Sequence, residues 1–291
     1  MSALSAAEAP EAQLGEQEFT RIAEMLRADA GIHLAAGKAA LVHSRLIKRL
    51  RALGMSRFSD YCALVASPAG AAERREMMAA LTTNVTSFFR EPHHFDDLRA
   101  RVLPPLLDEA RRGGRVRIWS AASSSGQEPY SIALTVLDLL PQAAELDVRV
   151  LATDIDPNMV RATAAGVYDE SALAAVPKAM RLRWFERSAE TGVSGEPQLR
   201  AGAALRRLVA ARELNLIGEW PMTARYHAVF CRNVVIYFEA ATQALIWSRM
   251  APYLVPGGTL YIGHSERVSG DATPRFVAAG VTTYNLRAEA A

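Results

Sequence analysis

Cysteine is nearly absent. The chain of 291 residues has two, Cys62 and Cys231, and no CxxC or Cys/His ligand spacing, which argues against a zinc site or a disulfide framework. Long apolar runs are missing as well; those present are too short or too interrupted by charge to span a bilayer. The opening MSALSAAEAPEAQLGEQ has neither the basic start nor the apolar core of a signal peptide, so a soluble, cytoplasmic protein is expected. No charge of one sign dominates. A formal net charge of +2 gives no global reason to expect a nucleic-acid partner. No internal repeat is visible. Glycine is scarce where a nucleotide-binding chain would need it: the segment SAASSSGQEPYS (120–131) follows an apolar strand-like run and opens a helix, yet it holds only Gly126.

What is present falls into two parts. The first fifteen or so residues read as loosely attached. From Glu16 the pattern is helical, with Phe19, Ile22 and Leu26 at helical spacing. A second helix covers KAALVHSRLIKRLRALG: Val42, Leu46, Ile47, Leu50 and Leu53 share one side, and Lys38, Arg45, Lys48 and Arg49 share the other. Gly54 reads as its stop. SRFSDYCALVAS and AERREMMAALTT give two more helices, so residues 16–82 are expected to form an all-helical domain, with 83–95 as a linker. Beyond it, RVRIWSAA, DVRVLATDID, RRLVAARELNL, HAVFCRNVVIYF and GTLYIGHSE are strands alternating with helical stretches, the pattern of a mostly parallel α/β sheet over residues 96–288. FVAAGVTTYNLRA reads as a hairpin at the sheet edge. Residues 177–207 fit neither period and read either as an inserted β excursion or as a surface loop.

Ligands of open α/β sheets bind beyond the carboxyl ends of the strands. Gly126 stands at one such end and Asp154, in LATDID, at the next. An acid at that place accepts hydrogen bonds from ribose hydroxyls, but a pyrophosphate needs the fuller GxGxxG turn. A ligand with a ribose and no phosphate fits better, and S-adenosylmethionine is the common one. Gly126 would then admit the methionine portion and Glu128 would meet its ammonium group. Taken singly, each residue has a plainer reading: a turn glycine, and an aspartate capping the next helix.

Four stretches, TTNVTSFFREPHHF, WSAASSSGQEPYSIAL, ATDIDPNMV and FCRNVVIYF, together with GHSE near Gly263, closely resemble CheR-type chemotaxis receptor methyltransferases. The resemblance implies a Rossmann-like methyltransferase sheet, an N-terminal helical domain and a small inserted β subdomain. It implies transfer of a methyl group from S-adenosylmethionine to receptor glutamate side chains, with S-adenosylhomocysteine as product. It places Asn84, Thr86 and Arg90 near the cofactor from the linker, Glu128 and Asp154 in the roles above, Asn215 and Leu216 beside the adenine, and Arg232 and Asn233 beside the methionine portion. Tyr237 faces the methyl group, and Arg90 with Tyr237 is expected to orient the acceptor. The family often carries Cys where Ser123 stands and an acid where Gln127 stands; both departures bear on ligand affinity. His93 and His94 are adjacent on a helix and so are not expected to share a metal; capping or surface roles fit them better.

A glutamate is already ionised at neutral pH, its ordinary pKa being about 4.3, so no general base is required. The expected partner is an acidic helical surface of a chemoreceptor, docking on Lys38, Arg45, Lys48 and Arg49; capture of a receptor C-terminal peptide by the insertion stays open, and a monomer is expected. Two other readings remain: a methyltransferase for another acceptor, against which RNVVIYF lacks the prolines of an adenine-amino methylating motif, and a non-catalytic adenosyl-binding module.

Overall fold

The computed structural model describes residues 12–192 and 195–288; most of the loosely attached N-terminal stretch expected above lies outside them. The chain divides into two compact units, Met1–Thr83 and Asn84–Ala291.

The first unit consists of α1 (Glu16–Ala30), α2 (Ala39–Ala52), α3 (Phe58–Ala66) and α4 (Ala71–Leu81). Each helix buries residues spaced three or four apart: Ile22, Leu26 and Ala30; Val42, Leu46 and Leu50; Phe58, Tyr61, Cys62 and Val65; Met77 and Leu81. Leu53 departs from the expected apolar face. Helix α2 stops at Ala52, and Leu53 sits at its C-cap, 42% exposed.

The basic face of α2 divides in the same way. Lys38 and Lys48 are exposed. Arg45 donates to the carbonyls of Leu81 and Thr82 at 2.8 and 2.7 Å, closing the last turn of α4. Arg49 makes a two-pronged pair with Glu73 at 3.0 and 2.6 Å, and Glu73 also accepts from the buried Tyr61 hydroxyl. Arg45 and Arg49 are therefore withdrawn from the docking set: their guanidinium groups already serve carbonyl oxygens and a carboxylate within their own unit.

The second unit begins with α5 (His93–Asp97) and α6 (Leu103–Arg111), then alternates: β1 (Val116–Ala121), α7 (Gln127–Leu139), β2 (Val148–Asp154), α8 (Pro157–Ala165), β3 (Val167–Asp169), α9 (Lys178–Trp184), β4 (Phe185–Thr191), β5 (Pro197–Ala201), α10 (Ala203–Leu208), β6 (Val209–Glu213), β7 (Tyr226–Cys231), α11 (Ala240–Met250), β8 (Leu254–Ile262), β9 (Phe276–Gly280) and β10 (Thr283–Leu286). The main sheet has the order β6-β2-β1-β7-β8-β10-β9. Its first five strands are parallel, and β10 and β9 close one edge as an antiparallel hairpin. Strands β1 and β7 are nearly all buried, which is why they read as apolar runs rather than alternating ones. The chain runs outward from β1 through β2 to β6 and returns to β7 on the other side of β1, so the switch point lies between β1 and β7.

A second, three-stranded antiparallel sheet, β3-β5-β4, stands apart from the first. It is the β excursion of the two readings given to residues 177–207. Its first strand starts earlier, at Val167, because Gly166 turns the chain out of α8 with φ +61 and Val167 pairs with Arg200.

Candidate active site

The loop after β1 is bound up with its own protein. Ser123 N–H donates to the Thr153 carbonyl at 2.8 Å, Ser124 N–H to Asp154 Oδ2 at 2.8 Å, and Gly126 N–H to the Ser123 carbonyl at 3.2 Å. Three of the loop's backbone donors are thus taken up internally, and the carboxylate at the end of β2 holds the loop down. Gly126 has φ +98, and a Cβ there would meet the Tyr168 hydroxyl at 2.6 Å and Thr163 Oγ1 at 2.9 Å. The glycine is required by the loop's own turn and by its packing against α8 and β3.

Asp154 is buried, and besides Ser124 N–H it accepts Asp156 N–H at 2.9 Å. Burial pushes its pKa up to about 6, against the pull of those backbone donors. Asp156 caps α8 through Asn158 N–H at 2.8 Å and accepts from Asn84 Nδ2 at 3.2 Å. Asn84 is tied further by its carbonyl, which accepts from Ser124 Oγ. Thr86 is half-buried in the same segment. Asn215 lies just past the end of β6, where Leu214 N–H donates to the Asp154 carbonyl at 2.9 Å. Its side chain turns the chain by accepting Ile217 N–H, and Leu216 beside it is buried. Asn84, Asp154, Asn215 and Leu216 are therefore brought to one end of the sheet.

Glu128 and Arg232 meet across the switch point. Glu128, in the first turn of α7, accepts from Ser120 Oγ at 2.7 Å and from Arg232 Nη1 at 3.0 Å. Arg232, at the end of β7, also reaches Glu91 at 3.3 Å and donates to the Arg90 carbonyl. Its side chain is 1% exposed, so one buried cation serves two carboxylates. Burial raises the pKa of Glu128, with Arg232 and Ser120 opposing it. Glu91 is also partly buried, but Arg232 and hydrogen bonds from His264 and Asn233 overcome the burial and hold it at about 2. Both Glu128 oxygens already have a partner, so an ammonium group would bind as an added donor on a carboxylate that retains free lone pairs.

Past Arg232 the chain turns at Asn233, φ +57. Glu266, buried at the end of GHSE, accepts the N–H groups of Asn233, Val234, Val235 and Gly263 at 3.0, 2.9, 2.7 and 2.6 Å. That clamp sets the 3₁₀ turn carrying Tyr237, which is half-buried. Arg90 donates to the Val85 carbonyl at 3.0 Å.

Glu91, Glu266, Asp156 and Ser124 were not singled out from the sequence, although three of them sit inside the quoted motifs and Glu266 ends one. Their partners are distant in sequence, and no local spacing reveals them. His94 differs from expectation too. It is fully buried, 2.8 Å from Thr282 Oγ1, and burial with the nearby Arg232 charge lowers its pKa to about 3. Ligand atoms of Glu91, His93 and His94 come within 4.8 Å of one another, and the two imidazole rings lie 4.1 Å apart, closer than two neighbours along a helix were expected to gather. The adjacent Arg232 charge opposes a cation there.

A buried carboxylate at the end of β2, a second carboxylate in the first turn of α7 paired with Arg232, and Asn215 with Leu216 past β6 stand at one end of the sheet, an arrangement that suits an adenosyl ligand carrying an amino acid. Comparison with known proteins is consistent with that chemistry. The family model described as "CheR methyltransferase, SAM binding domain" matches residues 84–284, and "CheR methyltransferase, all-alpha domain" matches residues 17–82. The chain belongs to the CheR methyltransferase family. It is 58% identical to a probable chemotaxis protein methyltransferase of Rhizobium etli over 89% of this chain and 96% of that one. It is 41% identical to the chemotaxis protein methyltransferase of Klebsiella aerogenes, over 95% and 91% of the two chains, and 39% identical to that of Escherichia coli, over 94% and 92%. As a CheR methyltransferase it is an S-adenosylmethionine-dependent enzyme. No helix among the described residues is long and apolar enough to cross a membrane.

Proposed function

We propose that this CheR methyltransferase transfers a methyl group from S-adenosylmethionine to glutamate side chains of chemoreceptors, giving methyl esters and S-adenosylhomocysteine for sensory adaptation. Similarity to chemotaxis protein methyltransferases over nearly the whole chain carries this reading.

S-adenosylmethionine supplies the activated methyl group. In this reading Asp154 binds the ribose hydroxyls, Asn215 and Leu216 flank the adenine, Glu128 receives the ammonium group, and Arg232 and Asn233 border the methionine portion. Asn84 and Thr86 close the site from their segment. Arg90 and Tyr237 orient the acceptor carboxylate. Because that carboxylate is ionised at neutral pH, what these side chains contribute is alignment and exclusion of water. A tight bidentate grip by Arg90 would stabilise the ground state more than the transition state. The exposed Lys38 and Lys48 support docking of an acidic receptor helix. The small sheet supports tethering of a receptor C-terminal peptide, since β3 and β4 are edges able to take an added strand. The chain acts in the cytoplasm as a monomer.

Incubation with labelled S-adenosylmethionine and receptor cytoplasmic fragments tests the reading. Base-labile label is expected on wild-type fragments and not on fragments with Glu→Gln at the acceptor sites. Cofactor binding with no label on any fragment would leave an adenosyl-binding module instead.

A further inference from the structure

A cleft lies at the end of the main sheet opposite the Glu128–Arg232 pair. It is lined by Arg225, just before β7, by Arg275, just before β9, by Arg287, just after β10, and by the apolar Leu254, Pro256 and Leu286, and it encloses about 420 Å³. Arg225 and Arg232 sit at the two ends of β7, so at roughly 3.3 Å per strand residue the cleft is on the order of 20 Å from the Glu128–Arg232 pair.

Among the described residues the charge of this cleft is uncompensated. No acid is among the described residues that line it. The three guanidinium groups are exposed, and none has a hydrogen bond or ion pair among the described residues. Strand register sharpens the point. Leu286 pairs with Phe276, and Arg287 N–H donates to the Arg275 carbonyl at 2.8 Å, so Arg275 and Arg287 stand directly opposite each other. Like charges in that position destabilise a strand pair. An anion between them removes the repulsion, and guanidinium forks match phosphate oxygens in two-pronged fashion.

We propose that this cleft binds a nucleoside polyphosphate, with the phosphates on Arg225, Arg275 and Arg287 and the base against Pro252, Pro256 and Leu286. Its volume is within the usual range for small-molecule sites, about 300–1,000 Å³. A concave apolar wall beside the three cations suits a ligand with a flat body and a charged tail better than a broad acidic surface.

Calorimetric titration of the full chain, saturated with S-adenosylhomocysteine to block the cofactor site, tests this with ATP, pyrophosphate and adenosine as probes. One ATP site is expected, with micromolar affinity. Arg275→Ala and Arg287→Ala are each expected to weaken it about tenfold or more, with adenosine not binding and methyl transfer unchanged in both variants. Absence of ATP binding at about 1 mM, or ATP binding that both variants retain, overturns the site. Pyrophosphate binding as tightly as ATP overturns the role of the apolar wall. Displacement of ATP by a poly-glutamate peptide of higher affinity overturns it in favour of a protein partner. A prior titration with S-adenosylhomocysteine alone reports separately on the cofactor site, so failure there is distinguishable from failure here.

Discussion

On the proposed ribose-binding role of Asp154, its pKa of about 6 makes cofactor binding sensitive to pH near neutrality. Because the folded protein raises the Asp154 pKa from its ordinary 3.8, lowering pH through 6 protonates it before ligand arrives, and an un-ionised carboxyl accepts hydroxyl donors poorly. The affinity for S-adenosylhomocysteine is therefore expected to be flat above about pH 7 and to fall up to tenfold per pH unit below about 6; a flat profile from pH 5 to 8 would remove Asp154 from ribose binding. The sign for folding is the reverse: burial penalises the charged form, so this group favours the folded state increasingly as pH drops from 6 towards 4. Glu91 acts at the same scale through Arg232. Glu91→Gln keeps the shape but removes one of two negative charges beside a buried cation, and product affinity is expected to fall about tenfold, read by calorimetry. At Gly126, substitution by Ala is expected to cost more than 2 kcal/mol, roughly, from the left-handed backbone and the clash with Tyr168. Denaturant titration checks this, and adding Tyr168→Phe should recover part of the loss. A glycine kept for ligand approach would instead lose cofactor affinity with little loss of stability.

At the scale of elements, two glutamates tie loops and helices together. Glu266 satisfies three backbone donors after β7 and one after β8, which fixes where the Tyr237 turn begins. Glu73, from α4, gathers Arg49 of α2 and Tyr61 of α3. Its removal leaves a buried hydroxyl without its partner and leaves Arg49 only the more distant Glu76, at 3.5 Å. Glu73→Ala is thus expected to destabilise the helical unit by about 2–4 kcal/mol, seen as a lower midpoint in chemical denaturation. Full retention of stability would return Arg49 to the docking face. The same network explains why helical periodicity marked α2 well and misjudged its basic side. A wheel sorts apolar from polar positions, but it does not say which polar groups have partners on other helices.

For the whole molecule, the charges left for an acidic partner on α2 are fewer than its sequence offers. Lys48→Glu is expected to slow receptor methylation several-fold, most strongly at low salt, while leaving affinity for S-adenosylhomocysteine unchanged. Initial methylation rates measured against ionic strength check this, and an unchanged rate would remove α2 from docking. The division into a helical unit and an α/β unit, the parallel strands and the closing hairpin were legible because each depends on local periodicity. The small sheet was legible only as an interruption in that periodicity: β3 has three residues, and its partner β5 lies about thirty positions on.

By itself the sequence determined the helices, the strands, the alternation that forces a parallel sheet, and the acidic residues at the ends of β1 and β2. All of these follow from side-chain patterning within a few residues. Tertiary structure alone decided which charges pair. It placed Arg232 between Glu91 and Glu128, brought Ser124 N–H to Asp154, tied Arg45 and Arg49 to partners in the helical unit, and left Arg225, Arg275 and Arg287 exposed in a cleft with no acid among its described lining residues. Pairing depends on strand order and loop closure between residues far apart in the chain, and burial then sets how strongly each charge is felt. Gly126 shows both levels: its place before a helix marked a special turn, but only the packed neighbours Thr163 and Tyr168 showed what the missing side chain makes room for.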